Sequence, residues 1–117
     1  MRLNEITYNN ATPVDGYGHG FFRIGGQVHE GSILTSAEGT IGWGGYSDMD
    51  PLLALSEIVD VLLIGTGAEL THIPADLRHA LETAGIGVEI MNSPAACRTY
   101  NVLLSEGRRI ALALIPT

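Results

Sequence analysis

Three short stretches carry residue types that could do chemistry. Gly65-Thr66-Gly67 follows the apolar run Val61-Leu62-Leu63-Ile64. A strand emptying into Gly-x-Gly opens many nucleotide sites, because glycine lets the backbone approach a pyrophosphate and a following helix offers free N–H groups. Asn92-Ser93-Pro94-Ala95 follows a second apolar run, Val88 to Met91, and reads as the start of a helix. Cys97 falls within the first turn or so of that helix, where N–H groups and the adjacent Arg98 could lower its pKa and make it a reactive thiol.

Each stretch also has a structural explanation. The dinucleotide fingerprint needs a third glycine where this chain has Leu70, and a helix that opens at once, whereas here it waits until Pro74. Glu89 lies about 20 residues downstream, as a ribose-binding acid should, but inside a strand rather than at its end. A P-loop is excluded because the chain has no lysine. Gly65-Thr66-Gly67 therefore reads as a structural turn. The better anion candidate is the crevice that forms if the Val61 and Val88 strands are parallel neighbours. Gly65, Thr66, Gly67, Asn92, Ser93 and Ala95 would then line one carboxyl edge of a sheet, where open α/β domains bind ligands. A plain helix cap explains Ser93 equally well. Cys97 also lies on an apolar stripe with Tyr100 and Leu104, the usual place of a small buried hydrophobe.

Other chemistry is weakly signalled. Gly45-Tyr46-Ser47-Asp48-Met49 begins like a nucleophile elbow but lacks its last glycine and a feeding strand. His19, His29, His72 and His79 have no zinc-ligand spacing. No catalytic residue, metal or cofactor is assigned, and the expectation leans away from an enzyme.

The elements that position these residues fall into two halves. Residues 1–48 hold most of the fifteen glycines and nothing of helical period. Phe21 to Ile24, Val28, Ser32 to Thr35, Ile41 and Trp43 alternate with Gly-rich turns, the pattern of an antiparallel meander. From Asp50 the texture changes. Asp50-Pro51 reads as a helix start, with Asp50 as cap and Leu52, Leu55 and Val59 inward. Val61 to Ile64 is a strand covered on both faces. Pro74 opens a helix with the stripe Leu77, Ala80, Leu81 and Ala84, and Gly85 stops it. Val88 to Met91 is the next strand. Ser93-Pro94 caps a helix with Ala96, Cys97, Tyr100, Leu103 and Leu104 inward, and Gly107 stops it. Ile110 to Ile115 is the last strand. The order α-β-α-β-α-β after a β-rich start predicts one layered α/β domain over residues 1–117, with a right-handed βαβ unit between the Val61 and Val88 strands.

Composition bounds the partners. The 117 residues suffice for one core, and 45% are hydrophobic against 16% charged. A formal charge of −7 repels phosphate backbones, and the six arginines are scattered apart from Arg108-Arg109, so nucleic acid is not expected. A single cysteine allows no intrachain disulfide and fits a reducing compartment. The first residues lead into no apolar signal segment and no apolar run could cross a bilayer, so a cytoplasmic chain without direct membrane insertion is expected. Homo-oligomerisation is left open.

Gly85 to Pro116, "GIGVEIMNSPAACRTYNVLLSEGRRIALALIP", resembles the tail of a small α/β family catalogued as a domain of unknown function. Its members include a mitochondrial complex I (NADH:ubiquinone oxidoreductase) assembly factor and an adipogenesis-associated protein with an Mth-type domain. Phe21 to Trp43 and Val61 to Glu69 resemble its β-rich front and its central strand with glycine turn. The most specific pieces are Ala96 to Asn101 and Glu106 to Arg109. The resemblance implies an α/β, three-layer fold around a central mixed sheet of about five strands, with a β-rich N-terminal layer. It carries no catalytic residues. It implies protein partners, namely subunits or biogenesis factors of a membrane complex, and a bacterial or processed chain, since no mitochondrial targeting extension is present.

Overall fold

A computed structural model describes residues 11–117 of the chain. The front half forms β1 (Val14–Gly18), β2 (Phe21–Ile24), β3 (Gln27–Glu30), β4 (Ile33–Ser36) and β5 (Gly39–Gly42). The rear half forms α1 (Asp50–Leu53), β6 (Val61–Thr66), α2 (Ala75–Thr83), β7 (Gly87–Met91), α3 (Ser93–Ser105) and β8 (Ile110–Ile115).

Two sheets result. β1-β2-β3 is an antiparallel meander, and the main sheet runs β5-β4-β8-β6-β7. The main sheet is mixed: β6 runs parallel to both β7 and β8, while β4 runs antiparallel to β5 and β8. The β-rich front is therefore divided, because Gly31, at φ 80°, turns the chain out of the meander before β4. The hairpin β4–β5 then joins the main sheet.

The alternation of side chains along β6 and β8 separates two cores. Ile110, Leu112, Leu114 and Leu63 face one side, where α3 and the small sheet cover them through Tyr100, Leu104, Phe22 and Ile24. Ala111, Ala113, Leu62 and Ile64 face the other, beneath Leu52, Leu55, Leu77 and Leu81 from the α1 and α2 segments. On the leucine side α3 packs directly over β6 and β8, whereas on the alanine side α2 lies over β7. The result is three layers, one of which contains the small β sheet.

The termini of the helices follow from local chemistry. Gly85 at φ 86° and Gly107 at φ 76° end α2 and α3 in the left-handed conformation that glycine adopts without strain. α1 departs from expectation in two ways. Asp50 is its first helical residue rather than its cap, and the helix lasts only four residues. Leu52, Leu55 and Val59 are nevertheless all buried. The segment unwinds through tight turns because it must deliver Asp60 to β6. There the Asp60 N–H donates to Arg109 O at 2.9 Å, and the Asp60 carbonyl accepts from Gly87 N at 2.9 Å. Among the described residues no helix is long and apolar enough to cross a membrane.

Candidate functional site

The parallel pairing of β6 with β7, Val61↔Gly87 through Gly65↔Met91, brings both carboxyl ends to one edge of the sheet. Gly65, Thr66, Gly67, Asn92, Ser93 and Ala95 meet there. Gly65 and Thr66 belong to β6 itself, so the turn begins only at Gly67, whose φ of 99° favours glycine.

Ser93 sits at the centre of this meeting. It is fully buried, and its hydroxyl donates to Ile115 O at 2.5 Å while accepting from Gly67 N at 2.9 Å. The Ser93 N–H donates back to Gly67 O at 2.8 Å. One side chain thus ties the start of α3 to the ends of β6 and β8. It does not cap the helix: Asn92 is the N-cap, its Oδ1 accepting from Ala95 N at 2.8 Å. The reason is direction. Ser93 points into the sheet while Asn92, one residue earlier, lies where its carboxamide can reach back to the first turn.

The electrostatics of the helix start follow. The Ser93 N–H is given to Gly67, Pro94 has none, and the Ala95 and Ala96 N–H groups go to Asn92 Oδ1 and Asn92 O. The donors that would greet an anion are engaged within the protein. Thr66 is likewise committed. Its hydroxyl lies 2.7 Å from Glu69 O and 3.3 Å from Met91 O, and accepts from Thr71 N at 3.2 Å. Beside this loop a depression of about 350 Å³ lies between Leu70, Thr71, His72, Arg78 and Ile90. Ser93→Ala is expected to lower unfolding free energy by about 1–3 kcal/mol, because it strands a buried N–H and a carbonyl. Urea unfolding followed through Trp43 would measure it, and a variant as stable as the wild type would refute the tie.

Cys97 is 3% exposed and packs in the core with Ala96, Tyr100 and Leu104. Burial pushes its thiol up to about 12, against the smaller opposing pull of the Arg98 charge. A thiol held so high is protonated at neutral pH and a poor nucleophile. DTNB is therefore expected to label nothing in the native chain and its one cysteine after unfolding. Labelling of the folded chain at the rate of a free thiol would show the side chain to be accessible.

Two features of α3 were not signalled by motif reasoning. Asn101 accepts from Val14 N and donates to Val14 O, both at 2.8 Å, so its carboxamide imitates a neighbouring strand. An asparagine in a helix interior is an unfavourable helix former and was the available signal. Tyr100 is fully buried, and its phenol is pushed up to about 12 by burial, with the nearby Thr35 hydroxyl pulling weakly the other way. Thr35 Oγ1 lies 2.7 Å from Thr40 Oγ1, with either hydroxyl able to donate, and the phenol oxygen finds no partner of good geometry among the described residues.

An uncharacterized protein of Rhodobacter capsulatus is 48% identical over 99% of this chain and 94% of its own length. NADH dehydrogenase (ubiquinone) 1 alpha subcomplex assembly factor 3 of Danio rerio is 34% identical over 81% of this chain. The match takes in 59% of that relative, so this chain corresponds to about three fifths of the assembly factor. Among solved structures, an outer membrane protein from Bartonella henselae superposes with a TM-score of 0.85 at 37% identity, covering 93% of this chain and 98% of that one. A Bordetella pertussis protein described as an Mth938-like domain superposes at 0.75 with 27% identity, covering 99% and 91%. Residues 14–115 match a protein family of unknown function, and the chain belongs to that family, DUF498/DUF598.

Proposed function

We propose that the chain is a non-catalytic protein-interaction domain that aids assembly or biogenesis of a respiratory or other membrane protein complex. The observation that carries this reading is its similarity, along 81% of its length, to a protein named as a complex I assembly factor. Two physical features support it. The polar groups of the Gly65–Gly67 and Asn92–Ala95 edge are bonded to one another, which leaves them little capacity for substrate. Several large apolar side chains stand exposed instead, among them Val28, Ile41, Leu70 and Val102, each more than half accessible. A surface of net charge −7 with no lysine suits partners that are basic and proteinaceous.

The test is affinity purification of the tagged chain from its native cell, with mass spectrometry of bound proteins and small molecules. Recovery of membrane-complex subunits or biogenesis factors is expected. A stoichiometric metabolite with no such protein would favour the rival reading, a small-ligand or anion binder, or an unrecognised enzyme, using the crevice at Thr66-Gly67 and Asn92-Ser93.

A further inference from the structure

The described residues leave four strand edges unpaired: β1 and β3 on the small sheet, β5 and β7 on the main one. Three of them carry the devices by which proteins discourage edge pairing. β1 has a register irregularity and Asp15, β3 has Glu30, and β7 has Glu89. β5, Gly39-Thr40-Ile41-Gly42, has no charge, no proline and no bulge.

Its geometry is open. Trp43 N donates to Ser32 O at 2.9 Å, which fixes the alternation of the β4–β5 ladder. Ile41 therefore exchanges its bonds with Leu34, and the N–H and C=O of Thr40 and Gly42 point away from the sheet. Ile41 itself is 53% exposed. It overlooks an apolar groove of about 240 Å³ lined by Leu34, Ile41, Pro51, Ala54, Leu55 and Ile58. Among the described residues the one ionisable lining group is Glu38. Asp50 and Glu57, both exposed, neighbour Pro51 and Ile58 in the chain. Among the described residues no basic side chain lines the groove.

We infer that β5 is a docking edge for an extended segment of a partner protein, added to the main sheet as a further strand. The occupant's chemistry follows from the groove. Its main chain bonds Thr40 and Gly42, alternate side chains on the Ile41 face are aliphatic, and lysine or arginine answers Glu38, Asp50 and Glu57. This deepens the assembly reading, on which its biological meaning rests. A second copy of the chain is the weaker occupant, since it would bring another −7 of charge against an acidic rim.

The probe is a short synthetic peptide alternating valine and lysine, with a valine–glutamate peptide as control, read by amide hydrogen exchange. The valine–lysine peptide is expected to slow exchange at Thr40 and Gly42 by about tenfold while leaving Glu89 on the far edge unchanged. The acidic peptide should do nothing. Ile41→Lys and Glu38→Lys, both at exposed positions, should each remove the protection without unfolding the chain. Absence of protection, equal protection by both peptides, or protection at β7 instead would overturn the inference. So would concentration-dependent protection without peptide, which would identify a second copy as occupant. The assembly reading fails separately. If purification recovers no complex component while the peptide still protects β5, the edge stands and the reading falls. If components are recovered but a photocrosslinker at Thr40 captures none of them, and the peptide leaves Thr40 and Gly42 unprotected, the reading stands and the edge falls.

Discussion

Gly65→Ala is expected to destabilise the fold by roughly 2–3 kcal/mol, the scale of an overpacked core. A Cβ at this position would lie 2.7 Å from Leu114 Cδ2, 2.7 Å from Ser93 Oγ and 2.8 Å from Ser93 Cα. The last of these is backbone, so rotating a side chain cannot relieve it. α3 would have to lift from β6, and lifting it breaks the Ser93 bonds to Gly67 and Ile115. The expected loss in melting temperature is about 8–12 °C for a chain of this size. The control is Gly16→Ala, where an added Cβ meets none of the described residues within 4 Å and φ is not positive. That variant should stay within about 0.5 kcal/mol of wild type. Trp43, the only tryptophan and 5% exposed, reports unfolding in both. Equal stability of the two variants would mean that α3 does not press on β6 as described.

The same residue shows where sequence reading stops. Gly65 in a Gly-x-Gly turn suggested backbone close to a phosphate; the backbone it approaches is that of Ser93, from α3. Local pattern located both partners but could not say that they fill each other's space, because the residues lie 28 positions apart. What local pattern does determine came through well. The run Ile110–Ile115 is a strand with those bounds, and Pro74, Gly85 and Gly107 mark helix ends, because φ restrictions and apolar period act within a few residues. The strand order, the division of the front half into two sheets and the inward turn of Ser93 depend on contacts across the chain. The resemblance supplied the number of layers and the mixed five-stranded sheet, which periodicity alone did not. The Cys97 stripe was legible as core for a simple reason: Ala96, Tyr100 and Leu104 share its helical face.

The second large effect is expected at Asn101, whose partner lies 87 residues away. Its carboxamide answers both backbone groups of Val14, beside the irregularity where β1 shifts register on β2. Asn101→Ala leaves a partly buried N–H and C=O without protein partners, and a loss of about 2–3 kcal/mol is expected. Asn101→Asp separates the two bonds. A carboxylate still accepts from Val14 N but faces Val14 O without a proton to donate. The protonated acid can both accept and donate, so folding favours the protonated form and raises the folded pKa of this group above its unfolded value. The sign follows from linkage. The deficit of Asn101→Asp against wild type is fully present above the folded pKa and shrinks as pH falls through it. Urea unfolding of both proteins at pH 7 and pH 4 should show the gap narrowing, whereas Asn101→Ala should keep a nearly constant gap. An Asn101→Asp deficit that is unchanged or larger at pH 4 would mean that Asn101 does not donate to Val14. The small sheet would then be held to α3 by packing and the Val14 N–H bond to Asn101 Oδ1.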